Sequence, residues 1–370
     1  MNVQAEIIPF VTYRVTIQFL SPVHVGSGHI LDPYEYVTRR DSSGQWLVIF
    51  DQAAMLADLP ENKRQQFLQL CDRADPVQLR RFFQVEVKPQ HERWRIALDQ
   101  RTFDEIQRNV NNPNRMGEIH LFTRDWQTGA PYLPGSSIKG AIRTAIVDQL
   151  LDQLPDKTKE QLRQKYKAGP GDPPPRAAHF EAEVLGHLRD GRPDLYSDPF
   201  KQLAVADAPL PPEAMQIRRV QIVNSQGQGQ GAEGILMYRD VVMPWLGKEP
   251  VVVETELRWH KRFLSQVMGH KRLPREITPA DICHACNAFY RRQWENESEK
   301  FPVPSDGKLS DLPNETETGC LLRLGRYSHF ECMTVRPPFS QPPRRGVGRS
   351  RTRIDGKIPL GWVYLEFHER

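Results

Sequence analysis

Residues 132–146 read YLPGSSIKGAIRTAI, a proline-glycine-serine turn that runs straight into a helix. Gly135 permits the bend, Ser136 or Ser137 can cap, and apolar residues at 138, 141, 142, 145, 146 and 150 form one stripe over Ser136–Leu154. The first backbone N–H groups of such a helix point outward and attract phosphate. Lys139 and Arg143 stand four residues apart on one face, so both can reach the same polyanion. The plain alternative is an ordinary capped helix with a solvated basic pair. The GxxxxGK[ST] spacing of a nucleotide-hydrolysing loop is missing, which disfavours that chemistry.

On the amino-terminal side of this helix, Tyr13–Leu20 alternates apolar and polar residues and predicts a half-buried strand, ended by the loop with Gly26 and Gly28. Trp46–Phe50 is a second strand. Asp51–Met116 reads as mostly helical, over Gln52–Leu59, Lys63–Arg73 and Pro76–Phe83, and is expected to be an insertion on a sheet-based domain. Beyond it, KAGPGDPPPR (167–176) is a loop. Strands are predicted at Gln216–Val223, Ile235–Val242 and Val251–Arg258, with a glycine-rich hairpin tip over 223–234. A helix over Thr278–Glu297 has Thr278 as N-cap and Pro279 at its first position. CLLRLG and GWVYLEF supply the last strands. Each half thus shows strands, one good helix, then more strands. The expectation is an α+β fold of two ferredoxin-like (RRM-like) domains, residues 1–190 with the insertion at about 51–116, and residues 191–370.

The bulk numbers bound the function. With 370 residues and 39% hydrophobic content, a core can be buried. A net charge of +4 excludes a wholly basic nucleic-acid coat but not a local basic groove. The amino terminus lacks a secretory pattern, no apolar run reaches membrane-spanning length, and five cysteines fit a reducing compartment. The expected setting is the cytoplasm.

Four further stretches carry candidate chemistry. PPRRGVGRSRTRIDGK (342–357) reads as an extended loop with Arg344, Arg345, Arg349, Arg351, Arg353 and Lys357, and arginine suits bidentate phosphate contacts. A solvated charge run is the alternative. RLGRYSHF (323–330) places Arg326 and Tyr327 after Gly325, a cation and a ring beside a tight backbone, as single-stranded RNA sites use. His24, His29 and Asp32 could form an acid/base set for RNA cleavage, though such residues within nine positions arise readily by chance. CHAC (283–286) has C-x-x-C spacing inside a helix and no second ligand pair, so buried free thiols are expected, with no metal and no cofactor.

FLSPVHVGSG (19–28), YLPGSSIKGAIRTAI, DPFKQLAVAD (198–207) and GRYSHF (325–330) together resemble the RAMP superfamily of CRISPR effector proteins. The pairing of DPYEYV (32–37) with KIPLGWVYLEF (357–367) is similar to the fifth-subunit family of type III-A Csm complexes. The resemblance implies RRM-like folding, binding of crRNA and contact with target RNA. It implies stacking on neighbouring RAMP backbone and small subunits, and places Lys139, Arg143 and both glycine loops near the RNA. A related backbone subunit cleaves target RNA with an aspartate after its first strand. Asp32 lies in a similar region, but its surroundings follow the non-catalytic pattern, so that role is not carried over. The expected protein is a non-enzymatic crRNA-binding subunit capping the backbone filament at the crRNA 3′ end. The rival is an endoribonuclease using His24, His29 or Asp32, and a third reading is recruitment of RNA-processing nucleases.

Overall fold

The computed structural model describes residues 10–109, 112, 118–166, 177–226, 236–260, 278–307, 309, 312–335, 339 and 348–369. The class is α+β.

A five-stranded antiparallel sheet is built from β1 (Phe10–Phe19), β10 (Leu203–Val205), β16 (Val252–His260), β17 (Gly319–Arg323) and β20 (Trp362–Glu369). Their order is β10-β16-β1-β20-β17. The alternation read in the first strand is what buries it: Val15, Ile17 and Phe19 are inside. Two helices cover this sheet, α5 (Gly135–Gln153) and α8 (Pro279–Lys300). They are tied together by Tyr290, whose hydroxyl donates to the Ala141 carbonyl at 3.0 Å, and by Arg292 on Asp148 at 3.0 Å. Thr278 caps α8 through the Asp281 N–H, and the Asp281 carboxylate accepts the Thr278 N–H in return.

The second sheet follows the path β2-β6-β13-β12-β5-β4-β3. Its strands are β2 (Gly26–Leu31), β3 (Tyr36–Asp41), β4 (Gly44–Phe50), β5 (Glu92–Leu98), β6 (Glu118–Phe122), β12 (Met215–Asn224) and β13 (Met237–Val242). β18 (Ser350–Ile354) pairs with β12 and with β19 (Ile358–Pro359) off this path. Short pairs complete the set: β7 (Tyr132–Leu133) with β11 (Ala208–Pro209), β8 (Leu188–Arg189) with β9 (Arg192–Pro193), and β14 (Trp245–Leu246) with β15 (Glu249–Pro250). Both sheets draw strands from either side of residue 190.

Two readings of the sequence change here. The 51–116 block carries α1 (Gln52–Ala57), α2 (Glu61–Asp72), α3 (Pro76–Glu86) and α4 (Gln100–Asn109), but β5 within it sits mid-sheet, paired to β4 and β12. Its ERWRIAL alternation, with Trp94, Ile96 and Leu98 inside, is a strand signal that the surrounding helical text obscures. The helices α1 to α3 pack their own small core, with Met55, Phe82 and Phe83 against Val48 and Phe50, whereas Phe103 and Ile106 of α4 join the main core. The basic 342–357 stretch is not an extended loop throughout, because from Ser350 it is strand β18, with Arg351 and Arg353 buried. The 167–176 loop and most of the 223–234 hairpin tip lie outside the described residues.

Candidate nucleic-acid interface

The start of α5 docks onto the DPFKQLAVAD block. Gly135 donates its N–H to Asp207 at 2.8 Å, and a Cβ there would lie 2.2 Å from the Val205 carbonyl oxygen. Only glycine fits that approach. The Lys139 ammonium donates to the Leu203 carbonyl at 2.6 Å, and burial lowers its pKa. Arg143 grips both carboxylate oxygens of Asp198, at 3.0 and 2.9 Å, and Glu181 at 2.8 Å, with its guanidinium over the Phe200 ring. Both cations of the motif are therefore turned onto partners inside the protein. Asp198 and Asp207, for which the sequence offered no chemistry, are the counterparts that hold it. Ser136 is exposed and Ser137 half-buried.

The other face of α5 is different. Ser137, Gly140, Ala141 and Thr144, spaced three, four and seven apart, line a cleft of about 630 Å3. Facing them are Gly26, Gly28, Gly325 and Arg326. Gly26 and Gly28, expected as a loop, lie in β2, and the Gly325 turn is locked to the segment before it: Arg326 donates its N–H to the His24 carbonyl at 3.1 Å, and Gly361 donates to Pro22 at 2.9 Å. Gly325 has φ +84°, and a Cβ would meet the His24 oxygen at 2.2 Å. Arg326 is exposed, with no carboxylate partner among the described residues; its nearest polar neighbour is the His120 Nδ1 at 3.5 Å. Burial and the neighbouring arginines hold His120 below its ordinary pKa, so it adds no charge.

Tyr327 does not present a ring at this surface. It is buried against His24, and its hydroxyl accepts from Arg239. His24 is buried too, with Nδ1 2.7 Å from the Asp240 carbonyl, and burial lowers its pKa to about 4. His29 pairs instead with Glu35 at 3.4 Å, while Asp32 accepts the Tyr34 N–H at 2.9 Å in a local turn. His24 thus stands apart from the other two, while His29 and Asp32 share a partner, since Glu35 also accepts the Asp32 N–H at 2.6 Å.

Of the basic stretch, Arg344 and Arg345 lie outside the described residues, and Arg349 is exposed. Arg351 pairs with Glu297 at 2.8 Å and Glu331 at 2.9 Å, and Arg353 donates to the Pro302 carbonyl at 3.1 Å. Arg323 from the other sheet also binds Glu297, at 3.0 Å. Burial alone would raise the Glu297 pKa, but the two guanidinium groups hold it at about 2. This network bolts β18 to β17 through α8. Cys283, Cys286 and Cys320 are buried free thiols, and no group of three or more metal-ligating side chains is found among the described residues.

A family model described as the RAMP superfamily matches residues 16–266. "CRISPR system Cms protein Csm5" of Mycobacterium tuberculosis (strain ATCC 25618 / H37Rv) is 25% identical over 270 residues, 66% of either chain. The protein of that description from Enterococcus italicus is 30% identical over 156 residues, 36% of this chain and 42% of the relative. The match spans just under two thirds of the length of the Mycobacterium relative. Among solved structures, a chain of a Csm-crRNA-target RNA ternary complex from a type III-A CRISPR-Cas system superposes with a TM-score of 0.64. It is 18% identical, with 96% of this chain and 100% of the other covered. The crystal structure of T. onnurineus Csm5 gives a TM-score of 0.59 at 19% identity, covering 94% and 99%. At such identities these two structures speak to the fold.

Proposed function

The chain belongs to the RAMP superfamily, and from that premise we propose that it is a Csm5-like, crRNA-binding subunit of a type III-A effector complex. It caps the backbone filament at the crRNA 3′ end and supports crRNA maturation and antiviral defence. Its partners are crRNA, target RNA, and the neighbouring backbone and small subunits, and its own role is binding, without catalysis.

The observation that carries this reading is the cleft. Small residues on α5 and glycines in β2 and the Gly325 turn leave room for close approach of a sugar-phosphate backbone, and Arg326 stands at its side without a carboxylate among the described residues. The RNA-facing set we propose is Gly26, Gly28, Ser136, Ser137, Gly325, Arg326 and Arg349. Lys139, Arg143 and Arg351 act one layer beneath, holding the elements that present it.

Strand order supports a ferredoxin-like reading of the first sheet. β1–α5–β10–β16–α8–β20 follows a β-α-β-β-α-β succession with spatial order β10-β16-β1-β20, and β17 adds an edge. We accordingly assign domains by sheet, the second unit being built on the β12–β13 sheet.

The test is purification of the tagged chain from cells expressing a complete type III-A locus. RNA of uniform length that crosslinks to this chain through its 3′ end is the expected result; crosslinking at the opposite end would remove the capping role. A cleavage assay comparing wild type with Asp32→Ala checks the non-catalytic assignment, since loss of a specific cut with RNA retention intact would overturn it.

A further inference from the structure

Trp126 is the side chain that neither the core nor the cleft explains. Its ring is 40% exposed, yet the turn that carries it is tightly tied. Asp125 donates its N–H to the Ala130 carbonyl at 2.9 Å and accepts the Gly129 N–H at 2.8 Å. The Asp125 carboxylate takes both the N–H and the hydroxyl of Thr128 at 2.8 Å, and Arg124 donates to the Gly129 carbonyl at 2.8 Å. Gly129 has φ +72°, and a Cβ there would enter the Trp94 ring. Trp94 in turn meets Trp126 edge-on at 5.9 Å. The edge-on pair with Trp94 accounts for one side of the ring and leaves the other in water on a rigid mount.

Its neighbours give the ring a purpose. The His29 imidazole lies 4.9 Å from it at a 40° tilt, and the Arg93 guanidinium is 5.9 Å from its centroid. Arg93 is exposed and has no carboxylate partner among the described residues. His29 belongs to β2, the edge strand whose Gly26, Gly28 and Ile30 line the cleft. His29 adjoins Ile30 on β2, so the ring pair sits beside the strand that lines the cleft. A strand of nucleic acid with its backbone in the cleft needs to cross only this narrow ridge to lay a base on Trp126.

We propose that Trp126, flanked by His29 and Arg93, is a stacking platform for one unpaired nucleobase of single-stranded RNA. This rests on the RNA-binding reading above and adds a site to it. An exposed ring with an adjacent guanidinium accepts any base through its π-face, so the site anchors the strand without reading its sequence.

The test measures binding of the full-length chain to a labelled single-stranded oligoadenylate, and to copies carrying one abasic position at each point in turn. Trp126→Ala is expected to weaken binding about ten-fold, within the range of a lost base–aromatic stack. Trp126→Phe should recover most of that loss. One abasic position should weaken wild type equally while leaving Trp126→Ala unaffected. Unchanged affinity in Trp126→Ala overturns the platform while leaving the RNA-binding reading standing; no RNA binding by wild type overturns both. Loss of association with the neighbouring subunits at unchanged RNA affinity would make the patch a protein-docking site and equally overturns the proposal. The thermal midpoint of Trp126→Ala should fall only slightly, by the loss of the edge-on pair with Trp94, and that of Trp126→Phe should match wild type.

Discussion

Arg143 and Arg326 both follow a glycine turn, and both sit in short motifs that a reader of the sequence would assign to phosphate. In the structure Arg143 is clasped by two carboxylates over a phenylalanine ring, whereas Arg326 stands exposed without one among the described residues. The same division separates Arg323 and Arg351, locked on Glu297, from Arg349 and Arg93 at the surface. The lesson is that a basic motif has two jobs. Inward cations bolt elements together, and outward cations remain for a ligand. What decides between them is whether an acid, or for Lys139 and Arg353 a backbone carbonyl, lies opposite, and that partner comes from a distant part of the chain.

The sharpest break of the comparison is Glu297→Ala, which leaves buried Arg323 without its carboxylate and Arg351 with Glu331 alone. It should cost about 3–5 kcal/mol of stability, read by chemical denaturation. A loss below 1 kcal/mol would mean those arginines find water, and the inward class would dissolve.

Acid probes the support beneath the outward turn. His24 is held neutral by burial, with a pKa of about 4 in the folded chain against an ordinary 6.5, beside Arg239, His120 and Arg326. The unfolded chain therefore binds the extra proton first. The stabilisation is complete above pH 6.5 and is lost as pH falls towards 4, amounting to about 3 kcal/mol. His329, lowered to about 2 by burial and by Arg323, works in the same direction. Thermal midpoints between pH 7 and 4.5 should fall in wild type and less steeply in His24→Gln; equal slopes would remove His24 from the account.

Arg143→Ala should cost about 2 kcal/mol, the scale of hydrogen bonds to charged groups. A double-mutant cycle with Asp198→Ala should show coupling of at least 1 kcal/mol, whereas additivity would place Arg143 in the outward class.

The smallest effect on stability belongs to Arg326→Ala, within about 0.5 kcal/mol. Its readout is RNA affinity, which should fall with a salt slope lower by about one. A destabilised fold with an unchanged salt slope would reverse the assignment.

Much of the architecture was legible along the chain. Alternation at Val15, Ile17 and Phe19 announced the first strand, the TPAD start announced α8, and the apolar stripe announced α5. β5 was obscured because one short alternating run stood among helices. The cleft was half legible: Gly26, Gly28, Ser137, Gly325 and Arg326 were singled out separately, and the structure brings them around one space. Tyr327 reads as a stacking ring along the chain, but burial against His24 closes its face, and the turn around Trp126 carries no motif that marks it.

By itself, then, the sequence determined the first and last strands, the helices α5 and α8, where glycine is required, and which superfamily the motifs belong to. These depend on interactions within a few residues: side-chain periodicity, capping and allowed backbone angles. Only the tertiary structure decided which arginines are free. Asp198 lies 55 residues from Arg143, Glu297 lies 54 from Arg351, and the two carboxylates reach their partners only after sheet and helix have packed. Charge is neutralised by neighbours in space, and distance along the chain carries no record of them.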